Sequence, residues 1–160
     1  MSGVSDVLVT RGLMTMLSSV MPANIVVAEV RLPTAEELSA LQPNTGDRLD
    51  PASGFLVVNP VPPQQYISTG WVNQPDSMEV LRYQFTAGGL KPDQVEAIAG
   101  LATAAVCDRA DAAPFDYVNP ITVAGHGVMQ REKAGSGPVD PVAGLLNAVR
   151  FVELMVCVTA

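Results

Sequence analysis

The chain has 160 residues, enough for one ordinary domain, and is 48% apolar but only 16% charged, where an average soluble domain is about 25% charged. The formal charge of −7 argues against a general DNA-binding surface, which needs Lys and Arg to replace phosphate counterions, and two cysteines with one histidine supply neither a disulfide framework nor a zinc site. So few charges mean neutral surface, either buried against other subunits or simply an uncharged exterior.

No segment reaches the ~18 consecutive apolar residues of a membrane span, and the start, Met1 to Asp6, lacks the positive charge that opens a signal peptide. The expected site of synthesis is a cytoplasm. Ser5 or Asp6 suits the cap of a first helix, in which Val9, Leu13, Met16, Leu17 and Val20 recur at helical spacing before Pro22. Residues 25–32 are β-branched, with Val26, Ala28, Val30 and Leu32 alternating, and read as a strand with one face on the core. Residues 33–54 form a long insertion, with a helical turn expected at 35–38 and turn formers at 44–47 and 50–51. Residues 55–59 read as a short strand covered on both sides, stopped by Pro60, Pro62 and Pro63. A second connection, 60–76, carries Trp71, a candidate interface anchor or a loop residue packed on its own domain.

Residues 78–86 are the clearest half-buried strand, with Leu81, Tyr83 and Phe85 on one face and Arg82, Gln84 and Thr86 on the other. Through Thr86, Ala87, Gly88 and Gly89 the chain enters the strongest element, an amphipathic helix over 90–110. Pro92 belongs in a first turn, and Asp93 and Glu96 place negative charge at the positive end of the helix dipole. Val95, Ile98, Ala99, Leu101, Ala102, Ala105 and Val106 form the expected core side, with Arg109 near the carbonyl end. The other side carries Ala97, Gly100, Thr103, Ala104 and Cys107, small for a solvated face. This makes Asp93, Glu96, Ala97, Gly100 and Ala104, together with Trp71, the candidate interface residues. Residues 111–120 read as loop, 121–130 as strand, 131–141 as loop, and the chain from about 148 as a last strand. The order predicts a single α+β domain over residues 1–160, a largely antiparallel sheet with two helices packed on one face.

Recognised catalytic chemistry is not visible. A triad would have to use His126, which sits between two glycines, and no Gly-x-Ser-x-Gly elbow is present. Gly88, Gly89, Leu90 and Lys91 lack the Walker spacing and read as a tight strand-to-helix connection. Cys107 and Cys157 read as small buried hydrophobes. The expectation is therefore a protein that is not an enzyme, with no catalytic residues, cofactor or metal.

The order of elements carries a further reading. An N-terminal helix, a strand at 25–32, a long loop, strands at 55–59 and 78–86, a helix of the form Pro92-x-x-Val95-x-x-Ile98-x-x-Leu101, and terminal strands including Arg150, Phe151, Leu154 and Val156 resemble the tail terminator family of long-tailed, siphovirus-like bacteriophages. The resemblance implies a structural virion protein at the head–tail interface, assembled in the host cytoplasm as a homo-oligomeric ring, usually a hexamer. Such a ring ends tail tube polymerisation and offers its other face to head-completion or connector proteins, while DNA passes through an acidic lumen without specific binding. Another head–tail connector or neck protein is the nearest alternative, and a cytoplasmic α+β regulatory or ligand-binding domain a more distant one.

Overall fold

The computed structural model describes residues 4–22, 25–29, 54–61, 78–89, 91–110, 116–137, 139–142 and 145–159. The elements are α1 (Asp6–Val20), β1 (Ile25–Glu29), β2 (Gly54–Val61), β3 (Met78–Gly89), α2 (Pro92–Cys107), β4 (His126–Ser136), β5 (Asp140–Val142) and β6 (Leu145–Val158). They make an α+β fold around one six-stranded sheet in the order β1-β2-β3-β6-β4, with β5 paired to β6. β1 and β2 are parallel and every other pair is antiparallel, so the sheet is mixed but mostly antiparallel.

α1 forms where the pattern places it. Ser5 is the cap, its side chain accepting from the Leu8 N–H, and the helix stops at Met21 before Pro22. Val9, Leu13, Met16 and Leu17 are buried as expected, whereas Val20 is exposed, because it falls on the groove side of the last turn. Thr10 is buried and its hydroxyl bonds the Tyr83 hydroxyl at 2.9 Å, a contact worth about 1 kcal/mol. Gly12 sits where the chain at Ile121–Val123 crosses the helix. A Cβ there would lie 2.7 Å from Val123 Cγ2 and 3.0 Å from the Thr122 carbonyl, so the crossing requires glycine.

In β2, Phe55, Leu56, Val57 and Val58 are all buried, as expected of a strand covered on both sides. The strand runs on through Pro60 to Val61 instead of ending at 59. Pro60 pairs with Tyr83 of β3 and lies past the last described pair with β1, Glu29 and Val58, where a missing N–H breaks no ladder bond among the described residues. β3 is longer than read, ending at Gly89, so the two glycines belong to the strand and the helix starts two residues later. α2 itself spans Pro92–Cys107 within the expected 90–110.

The last third differs most from expectation. Residues 121–123 are not strand: Ile121 and Val123 are buried against the core cluster, the chain turns at Ala124 and Gly125, and β4 begins only at His126. The expected loop 131–141 is instead most of β4 plus β5, and β6 starts at Leu145 rather than 148. β4 and β5 together form one bent arm antiparallel to β6, kinked by register shifts at Val128/Gln130 and Lys133/Gly135.

The main core is one cluster. It joins Val9, Leu13 and Leu17 of α1 and Val95, Ile98, Ala102 and Val106 of α2 to strand residues including Leu56, Val58, Tyr83, Phe85, Val152 and Leu154. Residues 30–32 of the first expected strand, most of the 33–54 insertion and of the 60–76 connection, and Trp71 lie outside the described residues. No described helix is long and apolar enough to cross a membrane.

Candidate functional site

α2 is held to the sheet by Val95, Ile98, Ala99, Ala102, Ala105 and Val106, all buried. Two of its residues are on the side opposite to expectation. Thr103 is buried, its hydroxyl donating to the Ala99 carbonyl at 2.8 Å, so the polar group is satisfied inside the helix. Leu101 is 48% exposed, because the core arc is centred on Ala99, Ala102 and Val106 and the wheel turns Leu101 to its rim.

The outer row that remains brings five of the six candidate residues onto one helix. Asp93, Glu96, Ala97 and Gly100 are exposed and Ala104 is half-buried. A Cβ added at Gly100 would meet nothing within 4 Å. Glu96 is ion-paired with Arg150 of β6, while Asp93 and Asp108 make no ion pair among the described residues. The row is thus small, apolar in its middle around Leu101, and acidic at both ends.

A second surface, not anticipated from the sequence, is a groove of about 430 Å³ along α1. Leu8, Arg11, Thr15, Met16 and Val20 line one side and the stretch from Asn119 to Ala124 the other. Among the described residues Arg11 is the only charged one in its lining. The Thr15 hydroxyl donates to the Arg11 carbonyl and the Ser19 hydroxyl to the Met16 carbonyl, so both are already satisfied.

His126 is half-buried and structural. Its Nε2 accepts the Ser5 N–H at 3.0 Å and its Nδ1 lies 2.8 Å from the Ala124 carbonyl, which together tie the start of α1 to the start of β4. Near the same end, Glu79 has its carboxyl pKa raised above the ordinary value of 4.5, first by burial and then by the Asp6 charge. A carboxyl whose folded pKa is raised stabilises the fold only while protonated, and that contribution is lost as pH rises from the ordinary value through the folded one. Glu79→Gln is therefore expected to raise the melting temperature at pH 7, with the two proteins converging below about pH 4. A variant that melts lower at pH 7 refutes the assignment.

Both cysteines are half-buried rather than fully buried. Burial pushes the Cys107 thiol up to about 11, despite nearby Lys133 and Arg131. Its thiolate is scarce at neutral pH, so alkylation of Cys107 by iodoacetamide, followed by mass spectrometry, should be slow at pH 7.5 and accelerate until pH nears 11. Fast labelling at pH 7.5 would contradict this environment.

The most fully built polar cluster is one the sequence did not reveal. Arg131 of β4 is buried, with its guanidinium 4.4 Å from the Tyr117 ring centre. Its Nη1 donates to the carbonyls of Val106 at 3.2 Å and Asn119 at 2.6 Å. Asn119 in turn donates to the Ala105 carbonyl at 3.1 Å, so two carbonyls at the negative end of α2 are satisfied by side chains. The Tyr117 hydroxyl accepts from the Arg131 N–H at 2.8 Å and lies 3.4 Å from the Arg131 carbonyl, closing the outer edge of β4 at that point. Burial lowers the Arg131 pKa, an effect Tyr117 opposes. The cluster fixes α2 to the edge strand: Arg131 Nη1 and the Asn119 amide both donate to backbone carbonyls, while Arg131 Nε is buried without a hydrogen-bond partner.

Among the described residues no group of three or more His, Cys, Asp or Glu is placed to hold a metal ion. No family model matches the chain, and comparison with curated proteins gives no match.

Proposed function

We propose that the chain is a phage tail terminator, a ring-forming structural protein that caps the tail tube and presents its other face to head-completion proteins. The observation that carries this reading is the outer row of α2. Ala97, Gly100 and Ala104 with the exposed Leu101 leave a helix face suited to another protein surface, on a chain with only 16% charged residues. The resemblance in element order supports the same reading. So does the arrangement of the helices, which we take to cover one face of the sheet: Thr10 of α1 and Ile98 of α2 meet a core whose strand members, Leu56, Ala87, Val58 and Phe85, are paired across β2 and β3.

In this reading exposed acids outside that row, such as Asp116 and Glu132, serve the lumen, where negative charge keeps passing DNA from sticking. Light scattering coupled to size exclusion, with negative-stain images of the same fractions, should show a closed ring of about six copies with a central hole. Added to purified tail tubes, the protein should decorate tube ends and stop further growth. A chain that neither forms rings nor binds tube ends refutes the proposal, and binding to head connectors alone would make it a neck protein instead.

A further inference from the structure

We infer that the groove along α1 receives the outer row of α2 from a second copy of this chain, so that copies join head to tail. The inference rests on the ring reading and names the two halves of its subunit contact.

The two surfaces match in length. The groove follows α1 from Leu8 to Val20 and the row follows α2 from Asp93 to Asp108, each roughly 20 Å at 1.5 Å per residue. They also match in shape. Ala97, Gly100 and Ala104 let a neighbouring helix approach to the roughly 8 Å of close helix packing, and Leu101 is the one knob, facing a groove whose apolar lining includes Leu8, Met16 and Val20. Burying Thr15 and Ser19 strands no donor, since both hydroxyls are bonded to their own helix.

Charge selects the pairing. Among the described residues Arg11 is the groove's only charge, and Asp93 and Asp108 are the row's acids without an ion pair. A symmetric groove-to-groove contact would oppose two Arg11 side chains, and a row-to-row contact would oppose acids. Only groove to row places opposite charges together. Because the two surfaces differ, the contact is heterologous and propagates until rotation closes it into a ring.

The test pairs scattering with site-directed cross-linking. Thr15→Cys and Gly100→Cys are made on separate chains lacking Cys107 and Cys157, mixed and oxidised. The expected result is a cross-linked dimer on a non-reducing gel from the mixture and none from Thr15→Cys alone. Arg11→Glu and Leu101→Arg, both at exposed positions and checked for wild-type melting, should each weaken self-association by about tenfold or more. Rings that form without the cross-link, and that both variants leave intact, would overturn the groove-to-row contact while the ring reading stands. A wild-type chain that stays monomeric at every concentration reached, with no cross-link and no binding to added tail tube ends, would overturn both.

Discussion

Arg131→Met is expected to lower stability by about 2–4 kcal/mol, or roughly 5–12 °C in melting temperature for a chain of this size. Methionine replaces the stem of the arginine, so the loss reports the head. Removing it strands the Val106 and Asn119 carbonyls, which the guanidinium serves from inside the protein, and abolishes stacking on Tyr117. Deleting one partner of a buried polar pair costs more than the net worth of the bond, because the other partner stays desolvated. Arg131→Lys keeps the charge but offers a single ammonium in place of a planar fork, and should recover about half of the loss. Tyr117→Phe removes the hydroxyl that meets both the N–H and the carbonyl of Arg131, at a cost of about 1 kcal/mol. Combined with Arg131→Met it should cost less than the sum, since the two side chains belong to one cluster. Urea unfolding followed by circular dichroism gives all four values, and an Arg131→Met protein within about 0.5 kcal/mol of wild type would show that water replaces the guanidinium without penalty.

That cluster marks the limit of what the sequence makes legible. Periodicity found both helices and the middle strands, because Val9, Leu13 and Leu17 or Val95, Ile98 and Ala102 can recur at helical spacing only if one side is buried. It also found the outer row of α2, with five of six candidate residues on one surface. It failed where a side chain's role is set by distant chain. Arg131 falls in a stretch with Glu132, Lys133, Gly135 and Gly137 that has the composition of a loop, yet β6 supplies the ladder that makes it a strand. Thr103 carries a hydroxyl and so reads as outward, but the Ala99 carbonyl satisfies it within the helix. Residues 121–123 have strand composition and are instead laid over Gly12, which no local rule anticipates. The groove along α1 is missed for the same reason: one wall is a helix and the other a segment a hundred residues later.

Gly88→Ala should cost about 2–3 kcal/mol, although alanine is ordinarily no burden in a strand. Gly88 is paired with Phe55 of β2, and the tip of the Phe55 ring lies so close over it that an added Cβ would overlap Cζ and its two neighbours. Phe55 is 2% exposed and cannot swing aside without displacing packed neighbours. The partner substitution isolates the cause. Phe55→Leu shortens the side chain at a cost of its own, but in its presence Gly88→Ala should become nearly free, giving a coupling of about 1–2 kcal/mol in a double-mutant cycle. Strictly additive costs would mean that the ring is not what excludes the methyl group. The next residue extends the argument to assembly. A Cβ at Gly89 would lie 2.8 Å from Cδ of Gln94, a buried residue in the first turn of α2, so the end of β3 is roofed by β2 through Phe55 and by α2 through Gln94. Because strand residues alternate, Gly88 and Phe55 lie on the sheet face away from α2 and Gly89 on the face beneath it, so crowding Gly88 loosens the sheet whereas crowding Gly89 pushes on α2. Gly89→Ala, rather than Gly88→Ala, is therefore expected to weaken ring formation at temperatures where circular dichroism still reports a folded chain, and Phe55→Leu, which rescues the stability of Gly88→Ala, should not rescue the assembly of Gly89→Ala.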